Sequence, residues 1–101
     1  MSITFDLNEK SVLKYNEAKD FFSLYKQNSD KENLIKAVDK YYESIKLNPQ
    51  QDKAYIDLAY ICIVLEKYQE AYNLLKTSLT YANFNNNSLK MIKYLKENKL
   101  I

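Results

Sequence analysis

The chain of 101 residues contains no glycine and a single proline. Tight β-hairpin turns often need positive φ, which glycine supplies without steric cost, so a sheet protein rich in such turns is a poor match. The residues that remain, chiefly Lys, Glu, Leu, Ala, Gln and Tyr, are tolerated in helices. Spacing then organises what composition permits. Ala37, Tyr41 and Ser44 are followed 34 residues later by Ala71, Leu75 and Ser78. A period of that length in a helix-compatible chain points to stacked helical hairpins, each burying its apolar face on a neighbour.

Boundary signals divide the chain into five segments. Asp6 and Glu9 stand at capping-box spacing, with Asp in place of Ser or Thr, and predict a first helix over about 7–28. Its apolar residues Ala18, Phe21, Phe22 and Tyr25 share a face, which Leu24 widens. Val12 and Leu13 lie upstream of the repeat, so residues 1–17 read as a helical extension over the open end of the stack. Ser29 and Glu32 form a Ser-x-x-Glu start for a second helix ending near Leu47-Asn48-Pro49, where the proline ring pushes Asn48 out of the helical region. A third helix is expected from Asp52 to Glu66, and after a tight turn a fourth from Gln69 to Tyr81. Asn83-Phe84-Asn85-Asn86-Asn87 reads as a polar break. A last helix over Ser88 to Asn98 carries Leu89, Ile92, Tyr94 and Leu95 on or near one face.

These segments resemble the tetratricopeptide repeat (TPR) family. One copy would span residues 18–51, the next 52–85, and 86–101 would be a capping helix, all within one domain over 1–101. In the second copy Tyr55, Leu58, Ala59, Ala71 and Leu75 match the family's aromatic, leucine, small, alanine and large apolar positions, and Tyr68 matches its turn aromatic. In the first, Phe21, Leu24, Leu34, Ala37, Tyr41 and Pro49 fit, whereas Tyr25 replaces a small residue. Ser44 and Ser78 stand for a usual alanine, and Lys93 for a small residue in the last segment. The resemblance implies an all-α, right-handed superhelix of two antiparallel helical hairpins plus a C-terminal capping helix. It also implies a role in presenting a surface to another protein.

In this family the first helix of each hairpin lines the concave side. The expected groove residues are therefore Lys19, Phe22, Ser23 and Lys26 in the first copy, and Lys53, Ile56, Asp57, Tyr60 and Ile63 in the second, with Asn87, Lys90 and Met91 as an extension. Phe22, Ile56 and Tyr60 would form an apolar floor rimmed by Lys19, Lys26 and Lys53, suited to a peptide or amphipathic helix. A subset of the family clamps the carboxylate of chaperone tails through a Lys, Asn, Asn, Lys set and a further basic residue. This chain has Phe22, Lys26, Asp57, Asn87 and Met91 at those positions. Phe22 and Met91 donate no charged hydrogen bonds and Asp57 repels a carboxylate, so a chaperone-tail adaptor is not expected.

Charge and cysteine usage narrow the function further. All 15 positive charges are lysines against 13 acids, too even a balance for a dedicated nucleic-acid binder. The charge is nevertheless uneven, since residues 71–101 hold five lysines and one acid, Glu97. Cys62 has no second cysteine to pair with and lies in the apolar run Ala59–Leu65, which predicts a buried, inert thiol, a reducing compartment and a cytoplasmic location. That run is too short to insert in a membrane, and the N-terminal residues carry no signal pattern. There is no histidine and no Gly-rich phosphate loop, and neither Asp52 with Asp57 nor Glu66 with Glu70 makes a persuasive carboxylate or metal site. No catalysis, cofactor or metal is expected.

The leading expectation is thus a protein-interaction module, an adaptor or assembly factor that holds a peptide or helix of another protein. One alternative is a dedicated single-client chaperone, similar to the small chaperones of secretion systems. The other is a structural homo-oligomer pairing through an exposed apolar side of Leu89, Ile92 and Leu95 on the C-terminal helix.

Overall fold

The computed structural model describes residues 6–82 and 85–101. Five helices form in chain order, with no strand among the described residues: α1 (Leu7–Asn28), α2 (Lys31–Leu47), α3 (Asp52–Val64), α4 (Tyr68–Tyr81) and α5 (Asn86–Glu97). Helices α1 and α2 make one antiparallel hairpin and α3 and α4 a second, while α5 packs on α4 as a capping helix. The fold is all-α as the sequence predicts. The chain divides into two compact units, Met1–Gln51 and Asp52–Ile101.

In the first unit, α1 and α2 pair along a seam that contains small residues. Ala18 and Ala37 are fully buried, and Tyr41, one turn beyond Ala37, is buried with its ring 5.8 Å from that of Tyr15. Leu24, expected to widen the buried stripe, is exposed instead. The described part of the expected extension, residues 7–17, belongs to α1, and its Ser11 meets the last turns of α2. Ser11 Oγ donates to the Ser44 carbonyl (2.8 Å) and Ser44 Oγ to the Ser11 carbonyl (2.8 Å), with the two hydroxyls 2.9 Å apart. Asn48 Nδ2 donates to Asn8 Oδ1 (2.8 Å) at the same end. Both serines are fully buried, so this reciprocal pairing satisfies what would otherwise be two stranded hydroxyls. Beside it, Lys14, Glu17, Lys40 and Glu43 form a closed ring of alternating charges between the helices, with N–O distances of 3.2 to 3.8 Å. Glu43, and after it Glu17, raise the Lys40 pKa by holding its ammonium.

In the second unit, Ala59, Cys62, Ala71, Leu75 and Leu95 form one buried cluster. Full burial of Leu75 and Leu95 contributes roughly 1.5–3 kcal/mol each. Burial of Leu95 corrects the expectation that Leu89, Ile92 and Leu95 form an exposed apolar side. Leu95 plugs the core and Ile92 packs against it, leaving Leu89 as the exposed member. The physical reason is that α5 has a neighbour within its own unit, so its apolar side is consumed in capping. Ser78 and Ser88 form a buried hydroxyl pair, 3.1 Å apart, across α4 and α5.

Without glycine, helix ends that need left-handed backbone must use other residues. Ser29 (φ 58°), Glu66 (φ 60°) and Lys99 (φ 55°) adopt it. Ser29 therefore closes α1, its N–H donating to the Tyr25 carbonyl (2.7 Å), and it does not start α2 as its spacing to Glu32 suggests. Asp30 takes that role, its carboxylate accepting from the Glu32 N–H at 3.0 Å. After α3 the Lys67 N–H reaches the Cys62 carbonyl (2.7 Å) and the Glu66 N–H that of Ile63 (3.0 Å), the Schellman pattern. This reversal ends α3 at Val64 rather than Glu66 and lets α4 begin at Tyr68. The same pattern closes α5, with Leu100 N–H on the Leu95 carbonyl and Lys99 N–H on that of Lys96. Asp6 caps α1 through the Asn8 N–H (2.9 Å), and Asn48 is extended before Pro49, both as expected. Of the expected polar break, Asn83 and Phe84 lie outside the described residues, Asn85 caps α5, and Asn86 and Asn87 are helical.

Two outcomes test this account. Glu66→Gly removes the steric cost of a left-handed non-glycine residue and raises stability by about 1 kcal/mol in urea unfolding, whereas Lys76→Gly in the middle of α4 lowers it by about as much. A drop for Glu66→Gly would place a stabilising role on its side chain. Ser11→Ala and Ser44→Ala each cost about 1–3 kcal/mol by stranding the partner, and the double variant costs less than their sum. Strict additivity would mean that the two hydroxyls do not depend on each other.

Candidate binding cleft

The site follows from how α3 is buried. Ala54, Tyr55, Leu58, Ala59, Ile61 and Cys62 are all buried, which accounts for most of the helix circumference. Apart from the half-buried Asp52 at its start, what is left is one strip: Lys53, Ile56, Asp57, Tyr60, Ile63 and Val64. Residues three, four and seven apart on a helix lie on one side, so this strip is continuous.

Helix α5 is held beside that strip by three contacts within its unit. Asn85 accepts from the N–H groups of Asn87 (3.0 Å) and Ser88 (3.2 Å), and its own amide donates to Asp52 Oδ2 (3.1 Å) at the start of α3. Ser88 pairs with Ser78, and Leu95 fills the core. With that side inward, Lys90, Met91 and Tyr94 turn towards α3. Together with Tyr60, Ile63 and Val64 they line an open cleft of about 380 Å³. Ile63 and Met91 also pack on the buried cluster beneath, so they form a supported apolar base. Tyr60 and Tyr94, each 49% exposed, keep much of their rings in contact with solvent.

The structure therefore brings Tyr60 and Ile63 together with Lys90 and Met91. Lys53, Ile56 and Asp57 share the α3 strip but do not line the cleft, and Asn87 is exposed on the first turn of α5. Lys19, Phe22 and Lys26 belong to the first unit. There Lys26 Nζ lies 5.0 Å over the Phe22 ring, Phe22 stacks on Tyr25 with centroids 6.3 Å apart, and Lys19 Nζ lies 5.6 Å over Tyr15. Each of these two lysines thus has an aromatic face beneath its charge. Val64 and Tyr94 were not expected in the cleft. Helical spacing carried the signal, since Val64 is one turn beyond Tyr60 and Tyr94 one turn beyond Lys90.

Lys90 is the charged residue of the lining, and it has no carboxylate partner among the described residues, unlike Lys93, whose Nζ is 3.7 Å from Glu97. A second, polar depression on α4 is lined by Asn73, Lys76, Thr77 and Thr80. Its two threonine hydroxyls are already committed to the Asn73 and Lys76 carbonyls of their own helix.

Cys62 lies on the core side of α3, away from the strip. Burial pushes its thiol above the usual range, negative Glu70 adds to this, and Lys67 partly offsets it. No group of three or more His, Cys, Asp or Glu residues among the described residues could hold a metal ion. No helix among them is long and apolar enough to cross a membrane. Comparisons with protein-family models, curated proteins and solved structures give no match.

The raised thiol has a measurable consequence. Iodoacetamide should alkylate Cys62 of the native protein far more slowly at mildly alkaline pH than that of the urea-unfolded chain, because both exposure and thiolate are suppressed. Equal rates would place the thiol at an accessible surface.

Proposed function

We propose that this chain is a non-catalytic protein-interaction module of TPR-like construction, and that the cleft between α3 and α5 holds a peptide or amphipathic helix of another polypeptide. The observation that carries the reading is that Tyr60 and Tyr94, both half-exposed, line one cleft with the apolar Ile63 and Met91. Tyrosine suits such a surface because its ring offers apolar area and its hydroxyl a polar edge. At about 380 Å³ the cleft is near the lower end of ligand sites, which run roughly 300–1,000 Å³, and suits one or two side chains rather than a large cofactor. The TPR-like reading is supported by the two hairpins and by the burial of Ala37 and Ala71, each followed one turn later by a buried large residue, Tyr41 or Leu75.

The test uses a partner isolated by affinity capture and then titrated as a purified polypeptide. Tyr60→Ala should weaken binding by about 1–3 kcal/mol, while Lys53→Ala, outside the lining, should matter less and mainly at low salt. Circular dichroism checks that both variants fold. Unchanged affinity on loss of Tyr60, combined with loss of binding on substituting the exposed Leu89, would move the interface to the other side of α5.

A further inference from the structure

Lys90 occupies an unusual place for a surface lysine. It borders an otherwise uncharged lining of two tyrosines, two branched aliphatic residues and a methionine. By contrast, Lys14 and Lys40 are paired with Glu17 and Glu43, and Lys36 and Lys76 lie over aromatic rings at 5.6 and 5.2 Å. The segment that carries Lys90, residues 71–101, holds five lysines and one acid. That acid, Glu97, is engaged by Lys93. On α3, Asp57 shares the strip with Tyr60 and Lys53 but does not line the cleft.

Filling the cleft would remove water from one side of the Lys90 ammonium, which strengthens its attraction for an anion and penalises a neighbouring cation. A nucleic-acid or membrane surface fits less well, since those bind through tracts of basic residues rather than one lysine beside an apolar cavity.

Resting on the reading of this cleft as the binding site, we propose that its occupant is an acidic peptide segment of another protein. A large apolar side chain enters between Tyr60 and Tyr94, and a carboxylate within about one helical turn of it pairs with Lys90.

The experiment selects random peptides about a dozen residues long on the wild-type protein and on Lys90→Glu, then measures the best wild-type peptide by fluorescence anisotropy. The wild-type selection should enrich a large apolar residue with Asp or Glu nearby. Selection on Lys90→Glu should keep the apolar residue and replace the acids by Lys or Arg. The best acidic peptide should bind Lys90→Glu about tenfold or more weakly, as expected for a close charge reversal. Lys90 is exposed, so the variant should keep its circular dichroism spectrum.

If Lys90→Glu leaves both selection and affinity unchanged while Tyr60→Ala abolishes binding, the acidic partner is wrong and the cleft stands. If neither variant affects binding, the cleft itself is wrong. Selection of basic peptides by the wild-type protein, or of no saturable binder, overturns the inference.

Discussion

A helix of 13 residues such as α3 is marginal alone in water, so its persistence depends on docking against a neighbour. Small residues make that docking close. Ala59 and Ala71 share one buried cluster, with Leu75 and Leu95 filling the space around them. In the first unit Ala18 and Ala37 are buried in the same way, and Tyr41 takes the large position. A large side chain at any of these alanines would push a helix away, with an overpacking cost of about 1–3 kcal/mol. In the second unit the same packing leaves one strip of α3 uncovered, and the candidate cleft is built on that strip.

Apolar packing alone leaves the register of two helices weakly specified, and buried hydroxyls sharpen it. Ser11 and Ser44 satisfy each other reciprocally, and Ser78 meets Ser88. Sliding either pair by a turn would strand a buried polar group at about 1–3 kcal/mol. The Lys14, Glu17, Lys40 and Glu43 ring acts in the same direction at the surface, where solvent weakens it. Among the described residues no buried side-chain nitrogen or oxygen lacks a partner. The serines that stand for alanines in the repeat pattern thus have a structural use.

Helix termini position the cleft. The Schellman closure at Glu66 and the Asn85 cap fix where α3 ends and where α5 starts, and Asn85 is tied to Asp52. Tyr60 and Tyr94 face the same space as a result. Both closures after α3 and α5 use charged residues with positive φ, a local strain accepted because the first reversal lets α4 dock and the second brings Leu100 onto the buried cluster.

The sequence determined the helical class, the existence of five helices, the fully buried Ala37 and Ala71, the Asp6 cap and the stop before Pro49. Those features follow from local rules: backbone sterics, capping and periodic burial. It also placed Tyr60, Ile63, Lys90 and Met91 on outward helix faces, though it spread the expected site over Lys19, Phe22 and Lys26 as well. Tertiary structure decided matters that depend on a neighbour's position. Ser29 and Asp30 both suit a helix start, and the need for a left-handed closure without glycine assigned Ser29 to the end of α1 and Asp30 to the start of α2. Leu95 and Tyr94 are adjacent in sequence, yet one plugs the core and the other lines the cleft, because the rotation of α5 about its axis is set by Ser88, Ile92 and Leu95 docking together. Periodicity shows that a helix has an apolar side, but only the packed neighbour determines how much of that side is consumed.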